Sequence, residues 1–273
     1  LAHALSDTVA NRWSDLGLRV ASALILGPIA LICLWFGGLA WQLLLMVAVG
    51  GLGWEWARLA RPMARRPDAA PAIMIATLVA TIAVARLNMA AGFAVMLAGT
   101  GWWVWRGRWF AAFGIPYAAL ASLSLLWLRL QPHDGLLDTL FLVMVVWSTD
   151  IGAYVVGRLF GGARMAPRIS PGKTWSGAVG GVVAACIIGG LLAGRGHGFA
   201  AGALPAAVLL SVCGQAGDLL ESAIKRHLGV KDSGGTIPGH GGLFDRLDGF
   251  LLAAPMAALL VLFAQQGGWP LWG

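Results

Sequence analysis

Asp218, Glu221, Ser222 and Lys225 fall at i, i+3, i+4 and i+7 within GQAGDLLESAIKR. On a helix that spacing brings two carboxylates, a hydroxyl and an ammonium onto one face. Further on, GHGGLFDRLDG sets Asp245 and Asp248 three residues apart, so a helical start would project both toward one point. Gly241 and Gly242 allow close backbone approach there. Oxygen ligands from Asp218, Asp245 and Asp248 suit a hard divalent ion such as Mg2+, which takes one or two carboxylates together with substrate phosphates. No HxxxH or CxxC pairing supports zinc. Lys225, Arg226, Lys231 and Arg246 stand among these acids, in a chain with only 11% charged residues. An ionisable side chain at the centre of a membrane helix costs roughly 2.5–3.5 kcal/mol on insertion scales, so such clustering marks a site.

Two further polar groups lie upstream. Ser148, Thr149, Asp150 and Tyr154 sit near the end of an apolar run, with Asp150 eight residues before Arg158. Eight residues are about 12 Å along a helix axis, which places Asp150 below the interface, either in a polar contact between helices or facing the site. In RISPGKTWSG, Arg168 to Gly177, Pro171 fits the first turn of a helix. That reading leaves the N–H groups of Gly172, Lys173 and Thr174 at a helix N-terminus beside a lysine, an arrangement that suits a phosphate. The segment is not a Walker A loop, because the GxxxxGK[ST] spacing is absent. Taken together, these groups describe a pocket with an anionic metal cradle surrounded by Lys and Arg. Phosphoryl or nucleotidyl transfer fits such a pocket, since positioning and charge neutralisation do most of that catalysis and no nucleophilic side chain is required.

The elements that carry these residues are helices in a membrane. The chain has 273 residues, 59% of them hydrophobic, and a mean hydropathy of +0.78, far more apolar than a soluble domain of its length. Its net charge of +7 does not point to nucleic acid, because the basic residues fall in short gaps between apolar runs rather than along a polar face. About twenty helical residues cross a bilayer core, and nine spans are expected at residues 18–36, 38–54, 71–86, 88–105, 110–129, 136–157, 174–194, 199–227 and 248–266. With the N-terminus inside, only Arg86, Arg129 and Arg195 of the 19 Lys and Arg residues fall outside. That asymmetry supports the count and puts the charge-rich stretch on the cytoplasmic face. The first apolar run is expected to be a full span rather than a cleavable signal. Cys33, Cys186 and Cys213 are isolated in apolar runs and read as small buried hydrophobes. Tryptophans such as Trp102, Trp103, Trp105, Trp109, Trp269 and Trp272 read as interfacial anchors. Gly177 to Gly181 and Gly190 to Gly194 have GxxxG spacing, compatible with close helix packing or a dimer seam. The expectation is an all-α, polytopic, single membrane domain, with residues 1–135 as scaffold or dimerisation helices and 136–273 carrying the chemistry.

The run Ser222, Lys225, Arg226, Lys231, Asp232, Pro238, His240, Gly241, Gly242, Asp245, Arg246 and Asp248 resembles the signature of the phosphatidate cytidylyltransferases, or CDP-diacylglycerol synthases. STDIGAYVVGRLFG, RISPGKTW and GQAGDLLES also resemble that family, so the similarity covers residues 148–249 strongly and the first five spans in architecture. Ser176 departs from it, standing where the family's Glu is expected after the Trp. The resemblance implies an integral membrane enzyme of the inner membrane, dimeric, with its site facing the cytoplasm. It further implies that CTP and phosphatidate are converted to CDP-diacylglycerol and pyrophosphate with Mg2+ and a second, monovalent cation such as K+. Asp218, Asp245 and Asp248 are then assigned to cation binding and, with Lys225, to catalysis. Lys173, Arg226, Lys231 and Arg246 are assigned to substrate phosphates, and Asp150, Glu221, Ser222 and His240 to orienting them. Two rivals are a CTP-dependent polyprenol kinase, which would need a base for its lipid alcohol, and an ion-coupled transporter, which internal repeats would favour. No such repeats are found.

Overall fold

A computed structural model describes residues 24–60, 69–193, 202–234 and 241–267. Nine helices run through them: α1 Leu24–Phe36, α2 Gly38–Leu59, α3 Ala70–Ala85, α4 Met89–Trp105, α5 Trp109–Arg129, α6 Gly135–Phe160, α7 Trp175–Ala193, α8 Ala203–His227 and α9 Phe244–Gln265. Their positions follow the apolar runs of the sequence within a few residues. Six of them, α2 and α5 to α9, are long and apolar enough to cross a membrane, whereas α1, α3 and α4 are shorter apolar helices. A 16-residue helix such as α3 rises about 24 Å, short of a hydrocarbon core of about 30 Å. The chain is thus an all-α membrane protein, with one hairpin among the described residues.

Local chemistry accounts for several of the helix ends. The turn between α1 and α2 is made by Gly37 at φ 63°, a left-handed conformation that glycine adopts without strain. Arg129, at the end of α5, donates from Nε to the Leu34 carbonyl at 2.8 Å and from Nη2 to the Trp35 carbonyl at 3.1 Å. It thereby caps the C-terminus of α1, where a cation also suits the helix dipole. Asn88 accepts from the Ala91 N–H at 3.0 Å and starts α4. Cys33, Cys186 and Cys213 are all free and partly buried, as expected of apolar packing.

Small residues set the distance between the helices of the second half. On the seam of α6 and α7, a Cβ at Gly152 would lie 2.7 Å from the Gly180 carbonyl oxygen, and one at Gly177 would lie 2.8 Å from that of Ala153. Gly181 presses likewise on the Thr149 carbonyl, so the Gly177 to Gly181 spacing serves packing within the chain. Gly194 lies outside the described residues. A polar belt crosses the same layer, where Thr149 Oγ1 donates to Ser211 Oγ at 2.9 Å and Gln215 reaches Ser211 Oγ and the Ala178 carbonyl, both at 3.3 Å. Between α2, α5 and α9, Trp56 stacks on Phe110 and meets Phe113, Tyr117 and Phe244. Trp103 is buried as well, unlike the exposed Trp105 and Trp109, so interfacial anchoring describes only part of the tryptophan set.

The one departure from helix corrects the expectation for RISPGKTW. Arg164–Ala166 forms β1 and Ser170–Thr174 forms β2 of an antiparallel hairpin. Pro171 therefore lies in a strand and not in the first turn of a helix. A two-stranded hairpin leaves an edge where the missing N–H of Pro171 is tolerated. The helix starts one turn later, because Thr174 offers the better cap: its Oγ1 accepts from the Gly177 N–H at 3.1 Å. The N–H groups of Gly172 and Lys173 thus belong to a strand and form no helix-terminal anion site.

The contact of α8 with α9 is close beside the polar residues, since a Cβ on Gly217 would sit 2.4 Å from the Asp248 carbonyl oxygen. Overpacking of that kind costs about 1–3 kcal/mol. Gly217→Val should lower the thermal midpoint in detergent by several degrees, while Gly101→Ala, where an added Cβ meets nothing within 4 Å, should leave it unchanged. Equal midpoints for the two variants would refute the close approach.

Candidate active site

The last three turns of α8 carry Asp218, Glu221, Ser222 and Lys225 on one face, and the first turns of α9 present Asp245 and Asp248 to it. Lys225 Nζ lies 2.9 Å from Glu221 Oε1 on its own helix and 2.6 Å from Asp245 Oδ1 across the helix pair. It clamps α8 to α9. Ser222 Oγ donates to Asp218 Oδ1 at 3.5 Å. From the hairpin, Lys173 reaches in to form an ion pair with Asp218 Oδ2. Asp150, on the same side of α6, lies within electrostatic range of Asp218 and Lys173, as Asp248 does of Asp218, Asp150 and Lys173. The segments around Asp150, Lys173, Asp218 and Asp248, far apart in the chain, therefore converge on one place.

Asp218, Glu221 and Asp248 each offer an oxygen within 4.8 Å of the others'. Glu221 is only 1% exposed, and it takes a place that the sequence reading gave to Asp245. Asp245 instead turns toward protein donors: Oδ1 faces Lys225, while Oδ2 accepts from the N–H groups of Gly242 at 3.0 Å and Ser233 at 3.4 Å. A start of α9 at Phe244 separates the two aspartates by function, one closing the loop and one joining the trio. Asp218 pairs with Lys173, and Glu221 and Asp245 with Lys225, while Asp150 and Asp248 lie within electrostatic range of Lys173. An all-oxygen donor set of this kind suits a hard cation.

The sequence of this cluster and its surroundings can be set beside known proteins. The profile of the Cytidylyltransferase family matches residues 17–264. A phosphatidate cytidylyltransferase of Brucella suis is 43% identical over 259 residues, covering 92% of this chain and 93% of its own. One from Pseudomonas aeruginosa is 38% identical over 270 residues, covering 91% and 98%. The chain belongs to the cytidylyltransferase family. A phosphatidate cytidylyltransferase of Staphylococcus saprophyticus is 41% identical over 154 residues, 56% of this chain, so with that relative the likeness is confined to part of the length.

Among the other basic residues the structure separates those inside the cluster from those around it. Arg226 donates from Nε to the Ile169 carbonyl at 3.2 Å and from Nη1 to that of Val230 at 3.3 Å, so it ties the end of α8 to the hairpin. Lys231 is exposed in the loop after α8. Arg246 projects from the first turn of α9 on a different side from Asp245 and Asp248, where it borders an apolar cavity. His240 lies outside the described residues. Ser176, in place of an expected Glu, donates to the Gly161 carbonyl and pairs with Thr174 Oγ1 at 3.0 Å, which binds the start of α7 to the end of α6.

Glu55, on α2, is the residue that the sequence reading passed over. It is 1% exposed. Its Oε1 accepts from the Leu243 N–H at 2.7 Å, and its Oε2 from the Phe244 N–H at 2.8 Å and from Ser233 Oγ at 3.1 Å. The start of α9 has no Ser, Thr, Asn or Asp at its cap, and a carboxylate from the first half of the chain supplies the missing acceptors. The available signal was a lone acid in an otherwise apolar helix. A buried donor left unsatisfied costs about 1–3 kcal/mol, so Glu55→Ala should loosen the loop and the first turn of α9. Hydrogen exchange at Leu243 and Phe244 should accelerate at least about tenfold in Glu55→Ala, and less in Glu55→Gln, which keeps one acceptor. Unchanged exchange in both variants would show that Glu55 does not hold this turn.

Proposed function

We propose that this protein transfers the cytidylyl group of CTP to phosphatidate, releasing pyrophosphate and forming CDP-diacylglycerol for phospholipid synthesis. Family membership supports the reaction class, and the relatives named phosphatidate cytidylyltransferase support the substrates. One observation carries the assignment of the site. Lys173 from the hairpin and Lys225 from α8 meet the carboxylates of α8 and α9 at a single place, an arrangement suited to two polyanions and the cation between them.

The chemistry needs little else. A phosphate monoester loses its second proton near pH 6, so phosphatidate is already a nucleophile at neutral pH. Its oxygen forms a bond to the α-phosphorus of CTP as the bond from that phosphorus to the α,β-bridging oxygen breaks, and pyrophosphate leaves with the electron pair. No side-chain base is required. Lys173 and Lys225 would neutralise charge on the phosphates, and Lys231 and Arg246 are assigned to the remaining phosphate oxygens. Arg226 keeps the hairpin, and with it Lys173, against the end of α8. Asp218, Glu221 and Asp248 would hold Mg2+, with Asp245 and Asp150 beside them and a monovalent cation such as K+ as a second occupant. The metal, when bound, draws the two anions together and stabilises charge on the leaving pyrophosphate.

The same reading includes nine membrane crossings with the N-terminus and the site on the cytoplasmic side of the inner membrane. Residues 1–135 then serve as scaffold, and the protein works as a homodimer. Arg86 and Arg129 at the opposite end support this orientation, together with Lys225, Arg226 and Lys231 at the near end. In a background without native cysteines, Lys231→Cys should be labelled from the cytoplasm and His133→Cys from the other side. The reverse pattern would overturn the orientation, and the mass of the protein–detergent particle judges the dimer.

With purified protein, phosphatidate and Mg2+, label in the α-phosphate of CTP should enter lipid. Label that remains in CDP while the lipid gains phosphate would indicate a kinase instead. Asp248→Asn and Asp245→Asn should each lower turnover by roughly a hundredfold or more while keeping a melting transition. Turnover that survives EDTA would sink the metal assignment.

A further inference from the structure

Away from the ionic cluster, α9 has a second working face. Leu243, Leu247, Phe250 and Leu251 follow the i, i+4, i+7, i+8 spacing of one helical stripe and line a cavity of about 510 Å³. The rest of its lining consists of apolar residues of α1, α2, α5 and α6, with Ser122 and Arg246 the only polar side chains in it among the described residues. Its volume falls in the range of small-ligand sites, about 300–1,000 Å³, yet its lining offers no set of hydrogen-bonding groups to orient a polar ligand. The occupant must be apolar along nearly its whole length.

Shape and charge narrow the choice. Along α2 the lining runs from Leu52, near the cytoplasmic end, to Trp41. Eleven residues of helix rise about 16 Å, close to half of a hydrocarbon core of about 30 Å. The cavity is therefore one leaflet deep. Its only cationic side chain, Arg246, lies on the first turn of α9, at the end where Asp245 and Asp248 enter the ionic cluster. An apolar shaft one leaflet long with a guanidinium at its mouth complements an acyl chain that carries an anionic phosphate.

We propose that this cavity is the acyl-chain site of the lipid substrate, with Arg246 receiving the lipid phosphate at its mouth. The inference rests on the cytidylyl-transfer reading for the identity of the lipid, but its geometry is independent of the nucleotide. Seating one acyl chain against Leu247 and Phe250 brings the headgroup to the turn of α9 that carries Asp248. The phosphate oxygen then arrives from the membrane side, and the nucleotide from the aqueous side.

Ala48 lines the cavity on α2, whereas its neighbour Val47 points away from it and is 74% exposed. Ala48→Phe should raise KM for dioleoyl phosphatidate about tenfold, as expected for loss of apolar contacts worth 1–2 kcal/mol, and leave KM for dihexanoyl phosphatidate and for CTP within twofold. Val47→Phe should change none of the three. Equal losses for both lipids, or for neither, would overturn the proposal. A second measurement is independent of turnover: phosphatidate with a diazirine at the end of one acyl chain should tag α1 and α2 peptides lining the cavity. Excess phosphatidate should compete with the probe and phosphatidylcholine should not. Competition by both lipids, or tagging spread over the exposed faces of all helices, would reduce the cavity to a place for bulk lipid. If the wild-type protein makes no CDP-lipid from either phosphatidate, the catalytic reading fails, and the tagging experiment still decides the cavity.

Discussion

The bridge that Lys225 makes between Glu221 and Asp245 is the interaction on which the site depends. Like charges about 5 Å apart repel by roughly 3 kcal/mol at an effective dielectric constant near 20, and the cluster of α8 and α9 contains several such pairs. Without a cation between them the two helices would not hold these carboxylates face to face. Lys225 supplies one such charge at 2.6 and 2.9 Å, and Lys173 supplies another on Asp218. Desolvation of so many charges costs more than these pairs return, so the arrangement is poor as a stabilising device. Under the proposed reading its value would lie in accepting a cation and anionic phosphates to complete the charge balance.

Much of the fold was legible because the apolar runs are long and Lys and Arg punctuate them. The helix positions come within a few residues of those read from hydropathy, apart from the end of α2, at Leu59 rather than 54, and the start of α9. That helix begins at Phe244 rather than 248, because Glu55 satisfies the N–H groups of Leu243 and Phe244 while Asp245 ties down the preceding Gly242. The hairpin was misread for a related reason. Pro171 is compatible both with a first helical turn and with an edge strand, and only the pairing with Arg164–Ala166 and the Thr174 cap decide between them. Local sequence cannot rank two caps when one of the competing partners is a strand nine residues upstream.

For the site, helical spacing within α8 was sufficient. Asp218, Glu221, Ser222 and Lys225 share a face as i, i+3, i+4, i+7 arithmetic requires, and they contact one another in the pattern i, i+4. Spacing was insufficient for Asp245 and Asp248. Three residues apart on a helix start, they were read as converging, yet the first belongs to the loop and the second to the trio with Glu221. The difference comes from the backbone of Gly242 and Ser233, whose N–H groups take Asp245 away from that point. The role of Glu55, as distinct from its oddity as a lone acid, was hidden for a stronger reason: its partners are 178 to 189 positions away.

Glu55 also explains why the first half of the chain matters to a site it does not line. Trp56, its neighbour, is wedged among Phe110, Phe113, Tyr117 and Phe244, so α2 is fixed by aromatic packing to both α5 and the first residue of α9. Packing positions the carboxylate, and the carboxylate positions the turn. From that turn α9 divides its circumference: Asp245 and Asp248 face α8 and the charges, while Leu243, Leu247 and Phe250 face the apolar cavity bordered by α2. A single helix can present an ionic face and a lipid-like face only if its rotation about its own axis is fixed. A twist of one residue, about 100°, would carry Asp248 toward the cavity and a leucine into the carboxylates. The Glu55 and Lys225 contacts hold the same first turn, one through its backbone and one through Asp245, and so oppose that rotation. The N-terminal helices therefore contribute to chemistry through torsion of α9, which accounts for a buried acid in a helix that supplies no ligand.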